Sequence, residues 1–273
     1  MKNANYEYST SEIAGYYGLT GKGLAFYEEK GIIAPKREQN KYRVFSLNDC
    51  YSLYHSKLYA NCEFTLSQTV DLLQQECVCG VEEALEKKAE ILRKEAWFKE
   101  RVAFHAERIA RVLERASREI PYEIVEREEK IRLFVRKYMD EHIFEKAQSD
   151  EFEAWNHTIP VNVASLKYSW REVQSEKNEM NVGIGNIIGK EDFDALGYRM
   201  SAQTEVIPSC KCLYTVLKGD ANDINERKWL LPALDCMKSR GLKCVGDPVT
   251  AMLVVIGSMD HRVRYDEAWF PIE

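Results

Sequence analysis

The sequence predicts an α+β multidomain chain. It should hold an N-terminal winged helix-turn-helix over residues 1–76, a long coiled-coil helix over 77–120 and an α+β domain over 121–273. Three observations predict this. Two short helical patterns separated by Gly18 precede a basic strand-turn-strand, IIAPKREQNKYRVFS. Residues 81–119 then run without glycine or proline. Beyond Pro121 the texture changes to short alternating apolar runs divided by turns.

Composition narrows the classes. Hydrophobic residues make up 45% and charged residues 30%, the balance of a globular protein. No apolar run approaches the ~20 residues that span a bilayer, and MKNANYEYSTSE lacks the apolar core of a signal peptide. The expectation is a cytoplasmic protein without a membrane partner. Eight cysteines then read as reduced thiols. A net charge of −6 argues against coating nucleic acid indiscriminately but leaves site-specific binding open.

The first elements follow from their caps. Ser9 with Glu12 makes a capping box, and Ile13, Ala14 and Tyr17 follow at helical spacing. Gly18 closes that helix and Thr20 caps the next, where Leu24, Tyr27 and Glu28 recur before Gly31 stops it. A helical hairpin in a core and a helix-turn-helix share this pattern. The following hairpin turns at Glu38-Gln39-Asn40 and carries Lys36, Arg37, Lys41 and Arg43 around Tyr42. Such a basic hairpin is a wing whose cations neutralise phosphates; a solvated hairpin is the alternative. Ser46 then caps a helix with Leu47, Tyr51, Tyr54 and Leu58, and Leu66, Val70 and Leu73 mark a further short one.

Taken in order, YSTSEIAGYYGLT, LAFYEEKGII, NKYRVFS and NDCYSLYHSKLYANCEFTLSQTVDLL resemble the winged-helix DNA-binding domain of MerR-family transcription regulators, over residues 6–76. The resemblance implies a homodimer on a pseudo-palindromic promoter operator, kinking and untwisting an overlong spacer so that RNA polymerase can use it. The residues expected at DNA are Tyr8, Thr20, Lys22, Tyr27, Lys36, Arg37, Tyr42 and Arg43. Two departures stand out. The family's reading helix carries two arginines where this chain has Lys22 and Ala25, and its wing has glycine where Lys41 stands. Residues 1–76 hold eight Lys/Arg against nine Asp/Glu, which predicts few phosphate contacts and an altered base readout. Gly21 and Gly23 each cost roughly 1 kcal/mol relative to alanine inside a helix.

In the long helix, Leu85, Leu92, Val102, Ala106, Ile109, Leu113 and Ala116 fall on a heptad seam that Lys88, Glu95 and Lys99 interrupt. At 1.5 Å per residue the predicted helix is about 58 Å long and needs a partner. An intramolecular bundle would supply one; the resemblance implies an intermolecular antiparallel coiled coil, ended by Pro121.

In the last domain, CLYTVLKG, the helix WLLPALDCMKSRGLKC, VGDPVTAMLVVIG and YDEAWFPIE resemble a gyrase-inhibitor-like ligand-binding domain. That implies an apolar, aromatic-lined pocket for a bulky aromatic or lipophilic compound, neutral or cationic. Tyr265, Glu267 and Trp269 share one strand face, and Tyr265 stands where the family places a pocket tyrosine. The family's cation-binding acid is replaced by Thr250 and Ala251, which leaves Glu267 or Glu205 to serve; the alternative for each is an exposed strand-edge glutamate. Tyr168, Trp170, Tyr214 and Trp229 are further pocket candidates, or plain core.

The pairs Cys77-Val-Cys79 and Cys210-Lys-Cys212 could offer soft ligands, but two thiols at i, i+2 do not complete a tetrahedral site. They read as free structural thiols, without a charge pattern for redox sensing, and no metal or cofactor is expected. Tyr265 and Glu267 could instead serve a hydrolase, or a binder with weakened DNA contacts. With no nucleophile elbow, phosphate loop or metal spacing, the expectation is a ligand-responsive regulator and not an enzyme.

Overall fold

The computed structural model describes residues 7–38, 42–136 and 146–273. The chain divides into two compact units, Met1–Phe98 and Lys99–Glu273, with the division inside one helix.

In the first unit, strand β1 (Glu7–Ser9) leads into α1 (Thr10–Tyr17). The predicted capping box is present, with Ser9 N donating to Glu12 Oε2 at 2.8 Å. Gly18 ends α1 in the left-handed region at φ 61°. Helix α2 (Gly21–Glu29) starts on Thr20, whose Oγ1 accepts from Gly23 N at 3.0 Å. Strands β2 (Lys36–Arg37) and β3 (Arg43–Ser46) pair antiparallel, and β3 also pairs β1. Gln39 and Asn40 of the predicted turn, and the predicted wing cation Lys41, lie outside the described residues.

Ser46 and Asp49 form the capping box of α3 (Leu47–Asn61), and Thr65 with Gln68 that of α4 (Leu66–Leu73). Asp49 is buried and also accepts from Ala34 N at 2.8 Å, which ties the chain before the hairpin to α3. Ile13, Tyr17, Leu24, Ile33, Phe45 and Leu53 make the core of this unit.

Helix α5 (Val78–Arg118) is one uninterrupted element of 41 residues. Two expectations change here. Cys77 and Cys79 are not free thiols: they are joined as a disulfide, at a Cα separation of 5.3 Å that lies within disulfide reach. The seam also divides. Ile109, Leu113 and Ala116 pack against Val216, Leu253 and Tyr265 of the chain's own sheet, and Ala106 is exposed. A heptad pattern reports an apolar stripe and does not say what covers it.

The second unit is built on strands β4 (Tyr122–Arg127), β5 (Lys130–Arg136), β6 (Val163–Tyr168), β7 (Val182–Gly189), β8 (Thr204–Ile207), β9 (Cys210–Asp220), β10 (Val249–Ser258) and β11 (His261–Pro271). They form one antiparallel sheet in the order β4-β9-β11-β10-β6-β7-β5-β8. Among the described residues four α-helices intervene: α6 (Lys146–Asn156), α7 (Trp170–Gln174), α8 (Lys190–Ala195) and α9 (Leu231–Ser239).

Side chains alternate across each strand, so the sheet has two apolar faces. One carries Leu166, Tyr168, Leu213, Leu217 and Phe270 beneath Ala233 and Met237 of α9. The other carries Cys212, Val249, Ala251 and Trp269, continued by Val216 and Leu253 under the end of α5. Among the described residues no helix is long and apolar enough to cross a membrane.

Candidate nucleic-acid interface and ligand cleft

Helix α2 and the hairpin are fixed to each other by one carboxylate. Arg37 and Arg43 are direct cross-strand partners in the β2–β3 ladder, where like charges repel. Glu28 on α2 resolves this: its Oε1 accepts from Arg37 Nη2 at 2.9 Å and its Oε2 from Arg43 Nε at 2.8 Å. Sequence reasoning missed Glu28, although its i, i+3, i+4 relation to Leu24 and Tyr27 places it on the helix face turned toward the fold.

The other predicted DNA residues are distributed as follows. Lys22 and Lys36 are exposed, and Tyr42 is 72% exposed. Thr20 spends its hydroxyl on the α2 cap. Tyr8 and Tyr27 are partly buried against the core of the first unit. Gly21 has open space where a Cβ would stand, and a Cβ on Gly23 would make only ordinary contacts, so packing demands neither glycine.

In the second unit, residues of α5, β11, β5 and α8 line a cleft of about 510 Å³. Trp269 and Glu267 are among its lining residues. Glu267 is buried, accepts from Tyr214 Oη at 3.0 Å through Oε1, and from Arg108 Nη1 at 2.5 Å through Oε2. Burial and the Glu267 charge push the Tyr214 hydroxyl well above its ordinary range. Lys130 lies over the Trp269 ring, 5.3 Å from its centroid. Burial lowers the Lys130 amine from its ordinary value, opposed by Glu267.

Further along α5, Arg101 donates to Asp192 at 2.8 Å and His105 Nε2 stands 3.2 Å from the same oxygen. Burial lowers the His105 pKa more than Asp192 raises it. The cleft thus contains its own cations. Sequence reasoning missed Arg101, His105 and Arg108, yet their i, i+4, i+7 spacing marks a polar stripe on one helix face.

The predicted pocket residues separate. Tyr214, Glu267 and Trp269 come together. Tyr265 shares their face but packs under the end of α5, with Lys218 over its ring. Tyr168 points to the opposite face, fully buried, and donates to Ile224 O at 2.9 Å. Trp170 starts the short helix α7 and Trp229 is buried, both with that same core. Glu205 is neither in the cleft nor exposed at an edge: it accepts from Arg132 Nη1 at 2.9 Å and Lys167 Nζ at 2.6 Å. Burial pushes its pKa up, but Lys167 and Arg132 outweigh that and hold it below its ordinary value. Among the described residues no group of three or more His, Cys, Asp or Glu is arranged to hold a metal ion.

Comparison with known proteins accords with the first unit. Residues 8–76 match the family model described as MerR HTH family regulatory protein. The HTH-type transcriptional regulator CueR of Escherichia coli O6:H1 is 32% identical over 88 residues, which is 30% of this chain and 65% of that protein. The chain therefore spans under two thirds of the length of this curated relative. The N-terminal segment is thus similar to the MerR helix-turn-helix family over residues 8–76.

Among solved structures, the EcmrR–DNA complex in EcmrR-RPo, determined by cryo-electron microscopy, is 16% identical with a TM-score of 0.35. That likeness covers 97% of this chain and 99% of that one. A hydrolase of Listeria innocua is 10% identical with a TM-score of 0.38, over 57% and 92% of the two chains. At such scores neither likeness assigns a function.

Proposed function

We propose that the chain is a homodimeric, ligand-responsive transcription regulator of the MerR type. It binds a pseudo-palindromic promoter operator through residues 7–76, with α2 as the reading helix and the β2–β3 hairpin as the wing. Distortion of the DNA then makes the promoter usable by RNA polymerase. The observation that carries this reading is the Glu28 bridge: it holds two arginines of the hairpin against α2, so that helix and wing meet DNA as one surface. Lys22, Lys36 and Tyr42 remain exposed on it.

A second copy would cover the upper part of α5, where Leu85 and Leu92 are half-buried and Ile91 is 49% exposed. The cleft over Trp269 is the proposed effector site for a bulky aromatic or lipophilic compound. A neutral compound would stack on the ring in place of Lys130, and a cationic one would compete with Arg108 for Glu267.

The test is a mobility shift of the DNA upstream of the chain's own gene over a salt series. A saturable, salt-sensitive shift supports the regulator and supplies an operator for ligand screening. Absence of a shift at low salt overturns it and leaves the cleft as a binder or hydrolase, which ligand turnover tells apart.

A further inference from the structure

Arg127 closes β4 directly opposite Cys210 of β9. It is a buried cation, 4% exposed, and among the described residues no carboxylate stands within 4.0 Å of it. Its Nη2 donates to Pro208 O at 2.8 Å and to Cys210 Sγ at 3.2 Å, while Nε and Nη1 are buried without a partner. A buried charge needs a counter-charge, and the group in contact that could supply one is the Cys210 thiol. The sulfurs of Cys210 and Cys212 lie 3.5 Å apart, because residues at i, i+2 of a strand share a face. Cys210 is half-buried and Cys212 fully buried, its thiol pushed up by burial to about 12.

We propose that Cys210 and Cys212 form a hydroperoxide-oxidisable dithiol, with the Cys210 thiolate held by Arg127 as the attacking group and Cys212 as the resolving thiol. The Cys210 thiolate attacks the terminal oxygen of the hydroperoxide. The O–O bond breaks, the departing alkoxide or hydroxide takes a proton from solvent, and Cys210 becomes a sulfenic acid. The Cys212 sulfur then attacks the Cys210 sulfur, the S–O bond breaks, and hydroxide leaves with the Cys212 proton as water. Two thiols are oxidised and one peroxide is reduced. Cys212 packs with Ala251 and Trp269, which line the cleft, so the bond would draw on the wall of that site.

The experiment uses the full chain, first reduced, then exposed to hydrogen peroxide and digested with trypsin. Lys211 lies between the two cysteines, so cleavage there leaves the flanking peptides joined when the disulfide has formed. The expected result is a Cys210–Cys212 link that forms about tenfold faster than Cys62 and Cys236 oxidise, with Cys212→Ser accumulating a dimedone-reactive sulfenic acid at Cys210. Arg127→Met should slow the reaction about tenfold and Arg127→Lys much less, because a cation in contact with the sulfur favours the attacking thiolate. Oxidation of Cys210 at the rate of Cys62 and Cys236, a link to Cys244 instead, or a folded Arg127→Met of unchanged rate would each overturn the proposal. Should Arg127→Met fail to fold, the comparison among cysteines of the unaltered chain decides.

Discussion

Arg108 on the long helix and Glu267 on the closing strand are 159 positions apart in sequence and 2.5 Å apart in space. The pair satisfies a buried acid with an internal cation, so the cleft already holds the charge that a cationic effector would bring. Removing one partner of a buried pair costs more than the pair itself contributes. Arg108→Ala is expected to destabilise the chain by about 3 kcal/mol, the low end for a buried pair because Arg108 is partly exposed. It should also raise affinity for a quaternary aromatic cation about tenfold, at the low end of measured charge-pair couplings. A neutral isostere of the same compound should gain little. Titration by quenching of tryptophan fluorescence reads both, and an equal gain for cation and isostere would refute the competition.

His105 gives the second unit a pH dependence of defined sign. Burial lowers its folded pKa below the ordinary 6.5, against the pull of Asp192 and with Arg108 and Arg101 assisting. Between the folded value and 6.5 the unfolded chain therefore holds more protons than the folded one. Stability should rise with pH through that window, be complete above it, and fall on acidification. Urea unfolding followed between about pH 5 and pH 8 checks this, and His105→Gln should flatten that part of the profile. A His105→Gln profile parallel to that of the unaltered chain would assign the dependence to other groups.

Much of the first unit was legible because its instructions are local. The boxes at Ser9 and Glu12, the turn at Gly18 and the cap at Thr20 act within four residues, and each stands as read. The second unit depends on register and on which face of the sheet meets which helix, information that no short window contains. Tyr168 and Tyr214 are both tyrosines on strands, yet one faces the α9 core and the other the cleft. Glu205 looked like a free acid because Arg132 and Lys167, its partners, are 73 and 38 positions away. The Arg101, His105 and Arg108 stripe is visible in the sequence as a polar helix face, but its partners Asp192 and Glu267 lie 91 and 159 positions from Arg101 and Arg108.

The wing offers a test of charge bookkeeping. Arg37 and Arg43 are expected DNA residues, but both pair with Glu28 in the folded chain, which offsets one of their two charges. Glu28→Ala should release two cations to phosphates and steepen the dependence of log affinity on log salt by up to about two, while loosening the wing and lowering operator preference. Lys36→Ala, at an exposed position outside the bridge, should reduce the same slope by about one. These slopes come from mobility shifts at several salt concentrations. An unchanged slope in Glu28→Ala would mean that the bridge does not withhold the two arginines from DNA.

Gly21 and Gly23 sit in the first turn of the proposed reading helix, where neither packing nor backbone conformation asks for glycine. Within the folded chain they are a net cost, and alanine at either position is expected to stabilise α2 by up to about 1 kcal/mol. A DNA backbone that approaches closer than a Cβ allows would account for glycine at both positions. Gly21→Ala should raise the midpoint of urea unfolding and weaken operator binding together, a pairing that a merely structural role does not produce. If stability and operator affinity both rise, the close approach is wrong and α2 meets DNA through its side chains alone.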